Sequence, residues 1–480
     1  MEKPILLIAS HYIPSCAQVN RDDLIDVDKI YGGVEASILG YARNMKNIRI
    51  VWFGFNPNLD KLHILRYEKV LDIEFHSYPI DKAVFSNHEH FWRQGLWLPM
   101  HEMYNYGFNV RPYVLDYLKV QEILAHHIIT YANQHQLFGT FLLDIQCWNL
   151  GEILRKNNNF ANKILGFFLP IPFPSNKFFQ TIFNSEKMLW ALMEYNFIGV
   201  QTQKDATHLT KVTENFVRNH ALSLEVGNSF IMSLNRAVKI HHLPCRIDTA
   251  YLSSLSVNTV NEKNQNNVEE IIQRAAGRRI ITWASRLDPT KGADQALKAC
   301  ETLLENEELV QDIFIVYINQ KCGYDNGIFQ IYNEYCNQTA SYLENKYQKF
   351  FLRIEGISRQ ELLTILGLTD ICLITSLKDG QNLVAQEWLH QTIHNKTLSI
   401  HPKCLILTKM TGFTELIKDV KGSIIISNPY NTTEIIEKIK TALSRDTKIS
   451  SEIVRQQFNL LKKKDASYVS SKIIKAFSNR

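Results

Sequence analysis

Thr375-Ser-Leu-Lys-Asp-Gly-Gln-Asn-Leu-Val-Ala-Gln-Glu-Trp388 follows the short apolar run Ile371-Cys-Leu-Ile374 and leads into residues with helical spacing. Four apolar residues before a Gly-centred loop read as a buried strand handing over to a helix. Such a junction puts backbone N–H groups, here those of Gln381, Asn382 and Leu383, at the positive end of a helix dipole. Gly380 lets a ligand approach the main chain, Asp379 can accept from hydroxyl groups, and Glu387, about two turns on, is placed to reach a ribose. The stretch reads as a cradle for an anion and a sugar. A capped helix behind an exposed Asp-Gly turn is the plainer reading, because it offers the same N–H groups.

At 480 residues the chain exceeds one ordinary hydrophobic core, so two domains are expected. Hydrophobic residues make up 45% and charged residues 21%, the balance of a soluble globular protein. A formal charge of +5 is too diffuse for a nucleic-acid reader, and Lys462-Lys-Lys464 reads as a solvated helix face. The eight cysteines form no C-x-x-C pair and none stands at zinc-ligand spacing from histidines, while Cys372 and Cys404 lie inside apolar runs as buried thiols. That usage fits a reducing, cytoplasmic setting. The opening run Ile5-Leu-Leu-Ile-Ala9 is too short for a signal peptide and reads as a first buried strand; no stretch approaches a membrane span.

Further strand-type runs occur at Arg49–Phe55, Phe141–Gln146, Phe197–Thr202, Arg279–Ser285, Asp312–Ile318 and Cys404–Thr408, alternating with helical spacing. Gly32-Gly33 precede a helical segment, as a ligand loop or a simple structural turn. Arg286 and Lys291 follow another strand. A planar fork and a point charge suit a departing diphosphate, although Arg and Lys also abound on ordinary loops. Residues 253–267 turn polar and Asn-rich, like a linker, and the domain boundary is placed near residue 248. Strand and helix alternating in two halves indicate an α/β protein of two Rossmann-like domains with ligand loops at the carboxyl ends of the strands.

Asp379-Gly-Gln-Asn-Leu-Val-Ala-Gln-Glu387 resembles the D-G-M-N-L-V-A-x-E signature of the trehalose-6-phosphate synthases, retaining glycosyltransferases of family 20. Gly166-Phe-Phe-Leu-Pro-Ile-Pro-Phe-Pro-Ser175 is similar to that family's G-F-F-L-H-I-P-F-P-S, and Arg286-Leu-Asp-Pro-Thr-Lys-Gly292 to its R-L-D-x-x-K-G. The resemblance is collinear over nearly the whole chain. It implies a GT-B fold whose two Rossmann-like domains turn parallel sheets toward an interdomain cleft. Residues 1–248 would bind the acceptor, 249–460 the nucleotide sugar, and 461–480 would form a helix crossing back to the N-terminal domain. The donor would be held by Gly32, Gly33, Asp379, Gly380, Gln381, Asn382, Leu383, Val384 and Glu387. Arg286 and Lys291 would stabilise the leaving diphosphate, and Asp144 would hold the acceptor together with Tyr12, His88, Trp97 and Lys321. The resemblance calls for no metal and no other cofactor. The implied partners are a nucleotide sugar and a small-molecule acceptor, and assembly as a homo-oligomer stays open.

The match to the family pattern thins on the acceptor side, and one departure touches the donor sugar. Pro170 replaces a histidine that reaches the donor sugar, and proline carries neither a side-chain donor nor an N–H. Leu143 and Gln146 replace histidines flanking Asp144, and Arg246 stands where glycine is usual. Tyr12 and, roughly, Gln320 or Lys321 occupy places where the synthases carry arginines for the phosphate of glucose 6-phosphate; each lost charge-assisted contact weakens recognition by about 1.5–3 kcal/mol. The expectation is therefore retaining transfer from a UDP-, ADP- or GDP-sugar to an acceptor other than glucose 6-phosphate. Three alternatives stand beside it: a pseudo-glycosyltransferase joining a nucleotide-cyclitol to an amine, trehalose-6-phosphate synthase itself, and an inactive synthase-like regulatory subunit. The intact Arg286 and Lys291 argue against the last.

Overall fold

A computed structural model describes residues 3–14, 33–67, 73–104, 109–220, 225–227, 230–233, 236–254, 265–320, 327–394 and 401–478. The N-terminal sheet has ten strands: β1 (Ile5–Tyr12), β2 (Arg49–Phe55), β3 (His63–Tyr67), β4 (Ile73–Tyr78), β5 (Leu137–Leu143), β6 (Leu165–Phe168), β7 (Phe197–Val200), β8 (Glu225–Gly227), β9 (Phe230–Ser233) and β10 (Arg236–His242). Their order is β3-β4-β2-β1-β5-β6-β7-β10-β9-β8, parallel from β4 to β10 and antiparallel at both edges. The centre is apolar on both faces, as a parallel strand covered by helices requires: Leu6, Leu7 and Ile8 are buried, and Ile8 pairs with Trp52 on one side and Phe141 on the other.

The C-terminal sheet has six strands: β11 (Arg279–Arg286), β12 (Ile313–Gln320), β13 (Phe351–Glu355), β14 (Ile371–Ile374), β15 (Cys404–Thr408) and β16 (Ile424–Ile426). All run parallel in the order β13-β12-β11-β14-β15-β16. The chain builds outward from β11 to β13 and then returns to place β14 on the other side of β11. The N-terminal sheet does the same, with β2 and β4 on one side of β1 and β5 on the other. In an open α/β sheet such a reversal leaves a crevice at the carboxyl ends of the two central strands. The loops that matter here leave those ends: those after β11 and β14 in one sheet, and those after β1 and β5 in the other.

The chain divides into two compact units, Met1–Cys245 with Ala466–Arg480, and Arg246–Asp465. The division falls three residues before the expected boundary at 248, and the helix grouped with the N-terminal unit begins at 466 rather than 461. Asp465 explains the second shift. Its carboxylate accepts from the Thr249 hydroxyl at 2.5 Å, so the preceding helix Thr447–Lys463 stays with the C-terminal unit. The last helix, Ala466–Ser478, buries Val469, Ile473 and Phe477 at i, i+4 and i+8. Ser470 donates to the Tyr41 carbonyl at 3.1 Å, and Phe477 fills the space above Gly139, where a Cβ would lie 2.3 Å from its ring.

The Asn-rich stretch expected as a linker is helical at its end, because the helix Gln265–Ala275 starts there, while residues 255–264 lie outside the described residues. Cys147, Cys245, Cys300, Cys336, Cys372 and Cys404 are free and buried. Among the described residues no helix is long and apolar enough to cross a membrane.

Candidate active site

In the C-terminal unit the loops after β11 and β14 are locked together by main-chain and hydroxyl contacts. The amides of Leu377 and Lys378 donate to the Thr290 carbonyl at 2.8 and 3.3 Å, and the Thr375 hydroxyl donates to the Gly292 carbonyl at 2.7 Å. Thr375 is itself held by the indole of Trp283, 3.0 Å away. Gly292 has φ +65°, and a Cβ there would lie 2.2 Å from the Thr375 carbonyl oxygen, so the contact requires glycine. Asp288 caps the turn Pro289–Lys291 through the Thr290 amide. Arg286 is the last residue of β11 and is exposed.

The locking brings Lys291 to Asp379, with Nζ 2.8 Å from Oδ2. The same oxygen accepts from the Ser376 hydroxyl at 3.2 Å and the Asn382 side chain at 3.1 Å. Sequence reasoning assigned these residues separately, to a phosphate and a sugar; the fold makes them neighbours. The helix after β14 is Leu383–His394, so Gln381 and Asn382 precede it rather than open it. Asn382, not Gly380, takes the left-handed backbone conformation, at φ +67°. Asparagine tolerates that conformation, and its Oδ1 accepts from the Ala385 amide at 3.0 Å as a helix N-cap. The cap does not reach the amides of Leu383 and Val384.

Two arginines not foreseen in these roles complete this half. Glu387 is buried and its carboxylate accepts from Arg359 at 2.7 Å; burial raises its pKa, and the arginine's charge opposes that rise. Arg246, noted in sequence only as a departure from glycine, is 3% exposed, donates to the side chain of the predicted donor residue Gln381, and lies over the Phe413 ring at 5.6 Å.

In the N-terminal unit His11 and Tyr12 close β1. The Tyr12 hydroxyl donates to Glu89 Oε1 at 2.8 Å, and Arg93 donates to the same oxygen at 2.6 Å. His11 Nε2 lies 3.6 Å from it. Burial alone would raise the Glu89 pKa, but the nearby His11 ring and the charge of Arg93 outweigh it, so the carboxyl is held below its usual range. His11 stacks between Phe85, at 4.4 Å, and His88, at 4.7 Å, and meets Tyr12 edge-on at 4.4 Å. Burial drives the pKa of His88 well down, so its ring is neutral. Its Nδ1 lies 3.2 Å from the Tyr117 carbonyl and must carry the proton, which leaves Nε2 an acceptor with no hydrogen bond from a described residue. The helix Lys82–His90 continues into a π-helix, Phe91–Trp97, in which Trp92 meets His11 and Trp97 edge-on at 6.2 Å each. The Trp97 indole N–H is likewise buried without a described partner.

Asp144 follows β5 with φ +71°, a strained conformation for a residue with a side chain, and its Oδ1 takes the next amide, Ile145, at 2.7 Å. The Ile145 carbonyl accepts from the Tyr117 hydroxyl at 2.6 Å, so the aspartate turn and the carbonyl that holds His88 share one tyrosine. Pro170 is buried just beyond β6. Gly33 begins the helix Gly33–Arg43, while Gly32 and Lys321 lie outside the described residues.

These two loop clusters, one with cation, carboxylate and helix start, the other aromatic with a strained aspartate, each carry groups able to bind part of a substrate. Residues 17–479 match glycosyltransferase family 20. The chain belongs to that family. This glycosyltransferase is 24% identical over 489 aligned residues to alpha,alpha-trehalose-phosphate synthase [UDP-forming] 2 of Aspergillus niger, across 97% of its own length and 94% of the relative's. Its fold is that of a GT-B enzyme: it matches the trehalose-6-phosphate protein of E. coli bound with UDP-2-fluoro glucose at a TM-score of 0.83, with 20% identity and 99% of each chain covered. It also matches an alpha,alpha-trehalose-phosphate synthase (UDP-forming) of Burkholderia xenovorans in complex with glucose-6-phosphate at a TM-score of 0.82, with 17% identity over 99% of this chain and 100% of that one. The family 20 enzyme is thus a retaining, trehalose-phosphate-synthase-like glycosyltransferase.

Proposed function

We propose that this enzyme moves a hexosyl group from a UDP-, ADP- or GDP-sugar to a small acceptor other than glucose 6-phosphate. The observation that carries the reading is the surrounding of Tyr12. Where an acceptor phosphate would need an unengaged cation, the end of β1 offers a phenol donating to the Glu89 carboxylate, and Arg93 close by is bound to that same oxygen. A carboxylate 2.8 Å from the contact point disfavours a dianion and suits a hydroxyl.

In this scheme the bond from the anomeric carbon to the diphosphate breaks while an acceptor hydroxyl attacks from the same face and passes its proton to the departing phosphate. Arg286, Lys291 and the amides of Leu383 and Val384 stabilise the charge growing on the leaving oxygen. Asp379 accepts from the donor sugar's hydroxyls, Glu387 from the ribose, and Asp144 holds the acceptor. The positive charge comes from the protein, so the scheme needs no metal ion. Six buried free thiols support a reducing, cytoplasmic site of action.

The kinship of the whole chain with trehalose-phosphate synthases favours a second reading, transfer to glucose 6-phosphate itself. One assay separates them: nucleotide release from each donor with glucose 6-phosphate, free glucose and other uncharged sugars, with and without EDTA. The proposal expects an uncharged acceptor to exceed glucose 6-phosphate in kcat/KM at least tenfold, with EDTA changing nothing. Preference for glucose 6-phosphate establishes the second reading, and no turnover with any pair defeats both.

A further inference from the structure

The N-terminal unit contains a cavity of about 470 Å³ that the transfer reaction leaves unused. Phe91, Tyr117 and Met188 line it as buried side chains, and Trp190, 42% exposed, completes the apolar wall. One polar side chain among them is unsatisfied. Asn149 is 6% exposed; its amide N–H donates to Gln121 at 2.8 Å and its carbonyl accepts from Ile153 at 3.1 Å, yet its side-chain Oδ1 accepts from no described residue. A buried amide oxygen without a described partner is a cost that a hydroxyl reaching it from the cavity would relieve.

The remaining lining narrows the class of that partner. Glu122, Glu152 and Glu194 face Lys156 and Lys187, and part of that charge is already paired, with Lys156 3.9 Å from Glu152 and Arg236 3.4 Å from Glu194. With three carboxylates matched by Lys156, Lys187 and Arg236, the lining has no excess of cations to hold a phosphate or a nucleotide. Aromatic faces cover the apolar side of a sugar ring, while a carboxamide and carboxylates take its hydroxyls. We propose that this cavity binds a neutral sugar of one or two rings, a size that suits its volume. It lies one aromatic layer behind the proposed acceptor wall: Tyr117 meets Phe91 at a tilt at 4.4 Å and stacks on His88 at 5.1 Å. The site is nonetheless separate, since neither Asn149 nor Trp190 belongs to that wall.

Equilibrium dialysis of the full chain against radiolabelled glucose, maltose and trehalose, without a nucleotide sugar, tests this. The expected result is saturable binding of at least one sugar that survives Trp97→Ala on the acceptor side and weakens at least tenfold in Asn149→Leu and in Trp190→Ala. Trp190 is exposed, so its variant keeps the test decisive if Asn149→Leu fails to fold. The proposal is overturned if none of the three sugars binds saturably, if Trp97→Ala abolishes binding, or if neither cavity variant weakens it. It is also overturned if Trp190→Ala changes the oligomeric state in sedimentation while sugar binding stays intact, which would make this face the seat of a second copy. Dialysis reads binding without turnover, so failure here leaves the proposed transfer reaction standing.

Discussion

Lys291 and Asp379 form an ion pair with side chains 15% and 9% exposed, and each comes from a different one of the motifs that carry the family resemblance. A cation held beside a carboxylate is preorganised: it is already ordered and partly desolvated before negative charge appears on a leaving group. Removing it should therefore hurt the transition state more than the ground state. Arg286→Ala and Lys291→Met should each lower kcat about 10²–10³-fold, or roughly 2.7–4 kcal/mol, while calorimetric affinity for the nucleoside diphosphate changes less than tenfold. Near-normal turnover in Arg286→Ala would remove the basis for the clamp. At this scale the sequence revealed residue types and hid their partners. Arg359 meets Glu387 from 28 positions away and Glu89 meets Tyr12 from 77, and neither pairing has a local signature. The Glu89–Arg93 pair was legible in principle, since i, i+4 spacing on a helix brings opposite charges together.

Elements are tied to one another here mainly through main-chain atoms. The turn Pro289–Lys291 and the loop Thr375–Asn382 share three hydrogen bonds to the carbonyls of Thr290 and Gly292, and Gly292 is the point of closest approach. Gly292→Ala combines a left-handed residue bearing a Cβ with a backbone collision. Denaturant unfolding of the variant should show a loss of about 2–5 kcal/mol, with Lys291 displaced from Asp379 and turnover falling along with it. An unchanged midpoint would show that the loops move apart freely. The strand and helix order was readable because burial alternates with the local period, but helix starts were not: the Asp-Gly turn drew attention to Gly380, whereas Asn382 is the left-handed cap. The π-helix Phe91–Trp97 also has no sequence period of its own. Gly95 sits in it with the Val110 side chain 3.3 Å from where a Cβ would be.

At the scale of the whole molecule, imidazoles desolvated by packing add to the sensitivity to acid. Burial lowers the pKa of His127 in the N-terminal unit and of His390 in the C-terminal unit from 6.5 to about 4. Between those values the unfolded chain binds protons that the native state refuses, so stability is present above pH 6.5 and declines as pH falls toward 4. Thermal melts from pH 7 to 4 should show this decline, with Tm falling roughly 2–4 °C for each kcal/mol lost. His390→Gln should flatten the decline for the C-terminal unit and leave that of the N-terminal unit in place. An unaltered acid limb in that variant would assign the loss to other groups.

By itself the sequence determined the class of fold, the approximate division of the chain and the loops to which the proposed chemistry is assigned. Apolar period and motif spacing are local properties, and an open parallel sheet puts ligand loops at the ends of its strands. Only the tertiary structure decided which oxygen of Asp379 meets Lys291, which nitrogen of His88 is left bare, and that Asp465 closes on Thr249 across 216 positions. Those outcomes depend on where separate elements come to rest, and on burial that exists only once they have packed.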